Sequence, residues 1–330
     1  MSLSVGIVGL PNVGKSTLFN ALLKKQLAYV ANFPFATIEP NIGVVPVPDP
    51  RLAKLANVVK ISENLASLPP EVPATVEFVD IAGLIAGASK GEGLGNKFLS
   101  HIREVDAICF VLRSFSDPDI IKQGVKDPVT DLEVLRLELD LADAQTLENR
   151  KEKKNHDKEN LPLFSKKPFL VVLNVDDNDL KEASKIESNY AEKLRLNPNQ
   201  MIAISAKTES ELSELPEEDQ AVYLSELGVV KSGLERLIQK AFSTLGLITF
   251  LTAGEKEVRA WTIRLGFTAL MASGVIHTDF MKNFIKADIV NFEDFVKFGW
   301  KKAREEGKVR SEGRDYIMQD GEVVEFKIGS

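Results

Sequence analysis

The sequence predicts an α/β fold in which a parallel sheet is followed by a smaller mixed α/β module. Short apolar runs at 3–8, 76–80 and 168–173 have the composition of strands buried in a parallel sheet. Stretches with helical apolar spacing separate these runs, as they do in βαβ units. From residue 247 onward, strand-like pieces surround one helical stretch at 292–306, which predicts a second module of different architecture.

The composition is that of an ordinary globular protein. The 330 residues are 27% charged and 44% hydrophobic, with a formal net charge of −7. This length allows two or three domains. The net negative charge excludes a protein whose entire surface binds nucleic acid non-specifically. The single Cys109 excludes an intrachain disulfide, so we expect a protein of the reducing cytosol. No apolar run reaches the ~20 residues of a membrane span, so no membrane partner is expected.

The first predicted strand leads directly into a phosphate-binding loop. Residues 9–16 read Gly-x-x-x-x-Gly-Lys-Ser, between the apolar run 3–8 and a helical pattern that starts at Thr17. In such loops successive backbone amides and a helix N-terminus bind phosphates. Lys15 is predicted to contact the β- and γ-phosphates, and Ser16 to bind Mg²⁺. The nucleotide-binding residues predicted from this loop are Asn12, Val13, Gly14, Lys15, Ser16 and Thr17.

A second element of the same chemistry follows another apolar strand. The motif Asp80-x-x-Gly83 begins at the last residue of the apolar run 76–80. It comes after the phosphate loop in the chain, which is the order of these two motifs in P-loop enzymes. There the aspartate holds Mg²⁺, through water in this prediction, and the glycine amide contacts the γ-phosphate. Thr37 is predicted to complete the metal shell, with an ordinary loop threonine as the alternative. The predicted catalytic residues are Lys15, Asp80 and Gly83, and the predicted Mg²⁺ ligands are Ser16, Thr37 and Asp80.

The base-binding motif is incomplete for guanine. GTPases read guanine with Asn-Lys-x-Asp after a strand, and this chain has Asn174, Val175, Asp176 and Asp177 after the run 168–173. Val175 therefore replaces the lysine that packs under the base. A Ser-Ala-Lys loop after the strand 202–204 is predicted to lie against the nucleotide base. The base-site predictions are Asn174, Val175, Asp177, Ser205, Ala206 and Lys207.

The residue that follows Gly83 predicts slow intrinsic hydrolysis. Ras-like enzymes place a glutamine there to orient the attacking water, and Leu84 lacks the polar group for that role. Backbone groups, a neighbouring side chain, a partner or a monovalent cation such as K⁺ are the alternatives. Asn12 is a candidate ligand of such a cation, or it only shapes the loop. His101 is a candidate general base, with a structural or surface histidine as the alternative, and the glycine-rich segment 87–95 is predicted to be a mobile switch.

Taken together, these motifs resemble the YchF / Obg-like ATPase family, and the resemblance covers nearly the whole chain. The segments that carry it are 9–17, 32–41, 48–52, 80–84 and 91–104, together with 250–254, 275–280 and 316–322, which resemble that family's TGS domain.

The resemblance implies a Ras-like, translation-factor-related P-loop NTPase domain with an inserted helical coiled-coil arm, plus a C-terminal ubiquitin-like β-grasp (TGS) domain. It also implies a preference for ATP over GTP, a hydrophobic residue in place of the catalytic glutamine, and association with the ribosome, for which we expect the large subunit. The expected boundaries are 1–130 and 168–246 for the P-loop domain, 131–167 for the arm and 247–330 for the TGS domain.

The chain departs from the family pattern at three places. Asp177 stands where the family usually has glutamate, which restores a guanine-type acid. Phe110 stands on the strand position where members often carry a histidine. The arm is also short, with an apolar helical seam at Leu132, Leu135, Leu139 and Ala142.

The predicted function is a cytoplasmic, Mg²⁺-dependent nucleoside triphosphatase that prefers ATP to GTP and acts as a ribosome-associated switch. Basic clusters at 150–158 in the arm and 297–314 in the TGS domain are candidate RNA contacts, or solvated helix faces. One alternative is a GTP-selective GTPase of the Obg or developmentally regulated type. Another is a non-enzymatic module in which nucleotide gates ribosome binding.

Overall fold

The computed structural model describes residues 3–32, 41–81, 94–116, 127–152 and 163–329. Two compact units are present. The first comprises Met1–Val45 and Val76–Leu245, and the second comprises Pro46–Thr75 and Gly246–Ser330. Among the helices of the described residues, none has the length and apolar composition needed to cross a bilayer.

The secondary structure within the described residues consists of strands β1–β12, α-helices α1–α11 and a few short 3-10 turns. The strands are β1 Ser4–Val8, β2 Ile42–Pro46, β3 Glu71–Val72, β4 Thr75–Asp80, β5 Ala107–Arg113, β6 Phe169–Asn174, β7 Met201–Ile204, β8 Leu247–Ala253, β9 Val258–Arg264, β10 Phe284–Val290, β11 Arg310–Glu312 and β12 Val323–Ile328. The helices are α1 Lys15–Asn32, α2 Arg51–Ser62, α3 Leu94–Glu104, α4 Pro128–Glu152, α5 Ala183–Leu194, α6 Ala206–Leu212, α7 Glu217–Glu226, α8 Gly233–Thr244, α9 Ala269–Ile276, α10 Thr278–Lys282 and α11 Phe292–Glu305.

The first unit is built on a sheet with the strand order β2-β4-β1-β5-β6-β7. Strand β1 pairs in parallel with β4 and β5, and β5, β6 and β7 continue the parallel pairing. Every residue of β5 is buried, as expected for a central strand covered on both faces. The carboxyl ends of parallel strands meet at one edge of the sheet. The carboxyl ends of β1, β4, β5, β6 and β7 are therefore brought together, although up to two hundred residues of sequence separate them.

Helix α4 begins at Pro128, three residues before the predicted start of the arm, and its first turns pack against the sheet. The predicted seam residues belong to the apolar core of the first unit, together with residues of β5 and β6. They are Leu132, Leu135, Leu139 and Ala142, each at most 4% exposed. The ring of Phe110 lies in the same core, 5.8 Å from that of Phe169 in an edge-to-face contact. The seam therefore anchors the helix, and residues 153–162 of the predicted arm lie outside the described residues.

The second unit contains a mixed sheet with the strand order β11-β10-β12-β8-β9-β3. Strands β8 and β9 form an antiparallel hairpin, β12 joins β8 in parallel, and β10 pairs antiparallel with β12 and β11. Phe250, Ile263 and Phe284 lie in its apolar core, which α9 also contributes to. The second unit is therefore a mixed sheet with an apolar core to which a helix contributes, and the β-grasp assignment stays a prediction.

The segment 46–75 packs with the C-terminal residues, whereas the sequence-based boundaries assign it to the P-loop domain. Its strand β3 pairs in parallel with β9 at the edge of the mixed sheet. Arg51, at the start of α2, donates hydrogen bonds to Asp49, Thr249 and Asp320 at 2.7–2.9 Å. The C-terminal unit is therefore assembled from two stretches of chain that about 170 residues separate.

Candidate nucleotide-binding site

The two motif glycines are required by the local packing of the phosphate loop. Gly14 has φ +95°, and a Cβ atom at this position would lie 2.2 Å from the Nδ2 atom of Asn174. A Cβ atom on Gly9 would lie 2.5 Å from the carbonyl oxygen of Val111 in β5. Asn12 also adopts positive φ, at 60°, a conformation that asparagine tolerates better than most residues. The loop thus lies close to the sheet and leads straight into α1, which begins at Lys15.

Lys15 and Asp80 are the charged pair of the site. Lys15 is 8% exposed, and its ammonium donates a hydrogen bond of 2.8 Å to the carbonyl oxygen of Leu10. Burial lowers the pKa of Lys15, an effect that the nearby Asp80 carboxylate partly offsets. Burial likewise raises the pKa of Asp80, and the Lys15 charge opposes this change. Because both charges are partly desolvated, an anionic phosphate next to Lys15 would gain more electrostatic stabilisation than at an exposed lysine.

Asn174 connects three loops of the site. Its Nδ2 atom donates to the carbonyl oxygen of Val13 at 3.0 Å, and its Oδ1 atom accepts from the amide of Ala206 at 2.9 Å. The Asn174 carbonyl oxygen accepts from the Ser114 amide at 2.8 Å. Asn174 is 7% exposed, so these bonds are shielded from water. The residue predicted to bind the base therefore also fixes the phosphate loop to the loops after β5 and β7.

Asp177 is held by hydroxyl groups from the loop after β7 and from the first turn of α6. Its Oδ1 atom accepts from the hydroxyl groups of Ser205 and Thr208, the latter at 2.6 Å. Its Oδ2 atom accepts from the Lys207 ammonium at 3.2 Å. Partial burial alone would raise the pKa of Asp177, but the hydrogen bonds from Ser205, Thr208 and Lys207 outweigh burial and lower it. The carboxylate is therefore ionised and oriented at neutral pH.

Val175 does not resemble the lysine that it replaces. Its side chain is 3% exposed and belongs to the apolar core of the first unit. Its amide donates to the carbonyl oxygen of Ile204 at 2.9 Å, in continuation of the pairing between β6 and β7. No long stem is available at this position to pack under a base.

These loops enclose a cavity of about 800 Å³ at the carboxyl ends of the strands. The cavity is large enough for a nucleotide. Residues from the phosphate loop, from the loops after β5 and β6, and from the loop after β7 line it together. They are Asn12, Gly14, Lys15, Ser16, Thr17, Phe115, Ser116, Asn174, Val175, Asp176, Asp177, Ser205, Ala206 and Lys207.

Three lining residues were missed by the sequence analysis. Phe115 and Ser116 follow β5 in a loop without a recognisable motif, and Asp176 lies at the unspecified position of the base motif. The Ser116 amide donates to the Asp176 carboxylate at 3.0 Å, which ties these two loops together. The Phe115 ring adds an aromatic surface of the kind on which bases stack. The available signals were the position of Phe115 and Ser116 shortly after the strand that contains Phe110, and the position of Asp176 inside the base motif.

Of the remaining predictions, Thr37, Gly83, Leu84 and the switch residues 87–93 lie outside the described residues. Asp80 is at the end of β4, where it is in register with Ile7 of β1. His101 is exposed on α3.

The Ser16 hydroxyl and the Asp80 carboxylate are hard oxygen donors, the type that Mg²⁺ prefers. The residues present therefore fit this ion, although no cluster of three or more acidic, histidine or cysteine side chains with metal-site geometry occurs in the part of the chain described here.

Comparison with known proteins agrees with this geometry. Residues 4–175 match the family described as 50S ribosome-binding GTPase, and residues 247–329 match the YchF GTPase C-terminal family, described as a protein of unknown function. The chain is 44% identical over 371 residues to the ribosome-binding ATPase YchF of Bacillus subtilis, with 99% of each protein covered. The identity to the protein of the same name from Escherichia coli O157:H7 is also 44%, again with 99% coverage of both. The chain belongs to the YchF family.

A solved member of the YchF family supports the fold over the full length. The structure of the Schizosaccharomyces pombe YchF GTPase matches with a TM-score of 0.79 at 33% identity, covering 99% of this chain and 98% of that one. The predicted fold class, a P-loop α/β domain followed by a second C-terminal domain, is thereby confirmed. As a member with an intact phosphate loop, the chain is a nucleoside triphosphatase.

Proposed function

We propose that this YchF-family chain is a Mg²⁺-dependent hydrolase of the β–γ phosphoanhydride that prefers ATP to GTP and acts as a ribosome-associated nucleotide switch. The observation that carries the ATP preference is the buried Val175. Guanine-specific sites of this type use a lysine stem at that position, and here the side chain is 3% exposed within the core. The relatives in Bacillus subtilis and Escherichia coli, which are named ribosome-binding ATPases, agree with this assignment.

In this mechanism, the phosphate-loop amides and Lys15 bind the β- and γ-phosphates and stabilise the charge that develops during transfer. Ser16, Thr37 and Asp80 are proposed to hold Mg²⁺, which when bound neutralises charge on the phosphate oxygens. The Gly83 amide is proposed to contact the γ-phosphate. Asn174 fixes the loop that presents Lys15, through its bond to Val13.

Water positioning distinguishes this site from Ras-like enzymes. Leu84 has no hydrogen-bonding group, so the attacking water depends on backbone groups, on a partner or on a monovalent cation such as K⁺, for which Asn12 is the candidate ligand. We therefore expect slow intrinsic hydrolysis. Rates measured in KCl and NaCl at equal ionic strength separate these routes, because only a cation-dependent site responds to the exchange.

Lys15→Ala tests the assignment of the phosphate site. We expect a loss of hydrolysis of at least 100-fold, since Lys15 is the buried cation of the loop. Lys24→Ala is a matched control, because Lys24 also lies on α1 but pairs with the exposed Glu214. Hydrolysis by Lys15→Ala at the parental rate would refute the assignment.

Dissociation constants for ATP and GTP test the base preference. We expect tighter binding of ATP, and equal or tighter binding of GTP would favour the second candidate function, a GTP-selective GTPase. The observation that favours this alternative is the ionised and oriented Asp177, the acid type that reads guanine.

The ribosome is the proposed partner, through its large subunit, and the cytoplasm is the proposed location. In the C-terminal unit, proposed to be a TGS domain, Lys301, Lys302, Lys308 and Arg314 are exposed, and we propose that they contact RNA together with the arm. Within the same basic cluster, Arg310 is paired with Glu322 at 2.7 Å.

Single-turnover hydrolysis with and without 50S subunits tests whether the protein acts as a ribosome-associated nucleotide switch. If ATP tightens ribosome binding while hydrolysis remains unmeasurable, the non-enzymatic module is the better description.

A further inference from the structure

A second cavity, of about 280 Å³, lies in the first unit. It is lined by α4, by the amino-terminal parts of β5 and β6, and by the segment 164–167 that leads into β6. Ile108 and Phe169, which are partners in the parallel pairing of β5 and β6, both line it. The nucleotide cavity lies at the opposite, carboxyl ends of these strands, and among the described residues no side chain lines both cavities.

The buried part of the wall of the second cavity is apolar and aromatic. Phe110 and Phe164 are 2% and 3% exposed, and Ile108 and Leu139 are equally buried. The ring of Phe169 meets that of Phe110 edge to face. An apolar cavity of about 150 Å³ already holds a benzene molecule, so the second cavity has room for an aromatic ring with a short substituent.

Two cationic side chains line the same cavity. The guanidinium carbon of Arg136 lies 4.5 Å from the centre of the Phe169 ring. The Lys167 ammonium donates to the carbonyl oxygens of Arg103, at 3.1 Å, and Val105. An ammonium has three N–H donors, so these two bonds leave a third for a ligand.

The positive charges are only partly compensated. Burial lowers the pKa of Arg136, which Asp140 offsets in part, and burial also lowers the pKa of Lys167, which Asp106 offsets in part. A partly desolvated cation gains more from an added anion than an exposed one does. Asp140 and Ser165 are exposed and form the polar part of the wall. Two cations and one carboxylate therefore give the described lining a net charge of about one positive unit, which suits a singly charged anion.

A carboxylate on an aromatic ring matches both parts of this cavity. The planar guanidinium group binds a carboxylate through two parallel hydrogen bonds, and aromatic rings pack favourably edge to face against one another. We propose that the second cavity is a binding site for a small aromatic carboxylate, whose ring packs among the phenylalanine rings and whose carboxylate pairs with Arg136 and Lys167. This site does not depend on the proposed function.

Ligand-detected NMR titrations of the wild-type chain with phenylacetate and phenylacetamide test the proposal. The two probes have the same ring and nearly the same size, but only phenylacetate is charged. We expect a dissociation constant of about 1 mM or tighter for phenylacetate, and binding of phenylacetamide about tenfold weaker. A saturating non-hydrolysable ATP analogue should leave the affinity for phenylacetate within about twofold, because the two cavities are separate.

Arg136→Met tests the role of the guanidinium group. Methionine keeps an apolar stem beside Phe169 and removes the charge, so phenylacetate should bind about tenfold more weakly while phenylacetamide binds as it does to wild type. Lys185→Met is the matched control, since it removes the same charge from a side chain that is 80% exposed on α5. It should leave the affinity for phenylacetate unchanged.

Crystals of the wild-type chain soaked with 4-bromophenylacetate give an independent measurement that needs no variant. The anomalous signal of bromine should lie in the second cavity, and it keeps the proposal testable if Arg136→Met does not fold.

Four results would overturn the proposal. They are equal affinities for phenylacetate and phenylacetamide, displacement of phenylacetate by the ATP analogue, equal effects of Arg136→Met and Lys185→Met, and a bromine position outside the second cavity. A chain that bound no ATP would instead refute the proposed function and leave this site unaffected.

Discussion

Replacement of Asn174 by alanine tests whether this side chain holds the nucleotide site together. The change removes two hydrogen bonds, one to the Val13 carbonyl oxygen and one from the Ala206 amide. Val13 is 1% exposed and Ala206 is 4% exposed, so both backbone groups would be left buried and unpaired. Each such loss costs about 1–3 kcal/mol.

The two losses together give about 2–6 kcal/mol, and water that enters the space left by the side chain recovers part of this cost. We therefore expect a destabilisation of about 2–4 kcal/mol, a large part of the roughly 5–15 kcal/mol that stabilises a typical domain. The phosphate loop also loses its tie to the loop after β7. ATP affinity should consequently fall together with stability.

Hydrogen exchange is the most direct assay, because it reports on the Ala206 amide itself. In Asn174→Ala this amide should exchange much faster than in wild type, while amides of the second unit remain protected. Thermal unfolding followed by circular dichroism gives the change in stability. Asn189→Ala is the matched control, since Asn189 is exposed on α5. A variant with wild-type Ala206 exchange and a stability within about 0.5 kcal/mol of wild type would refute this reasoning.

Two further predictions concern other parts of the chain. Arg51→Ala should destabilise the second unit by about 2–4 kcal/mol, because it removes charge-assisted bonds to Asp49 and Asp320. Arg51→Lys should recover only part of this loss, and equal proteolytic resistance of Arg51→Ala and wild type would contradict the prediction. Burial raises the pKa of Glu209 above its ordinary 4.5, so the native state binds more protons than the unfolded state between these two values. Wild type should therefore lose stability relative to Glu209→Gln as pH rises from 4.5 through the raised pKa, and parallel pH profiles of the two melting temperatures would show that Glu209 does not titrate in this way.

Much of the candidate site could be predicted from sequence because its parts are local. The phosphate loop needs a strand, two glycines and a helix start within a few residues, and the turn at Gly14 admits no other residue type without strain. Asp80, Asn174 and Ser205 were predicted because each lies at or directly after the end of an apolar strand. The ends of parallel strands converge, so sequence order after a strand predicts proximity.

Other features depend on contacts between residues that are distant in sequence. The apolar seam of α4 was correctly recognised as one face of a helix, but periodicity does not specify what covers that face. In the structure the seam lies in a core that it shares with residues of β5 and β6, and an arm helix would have given the same pattern. The segment 46–75 similarly gave no sign that β9 would pair with it.

The amino-acid sequence by itself determined the substrate class, since nine consecutive residues create a pocket of amides and one lysine that suits a phosphate chain. Tertiary structure alone decided which contacts hold the residues predicted to form the base site. Asn174 joins Val13 to Ala206, and the Thr208 hydroxyl donates a hydrogen bond to Asp177, across sequence separations of 31–161 residues. The physical reason is that a hydrogen bond depends on where two atoms lie in space, whereas a local pattern constrains only the few residues that contain it.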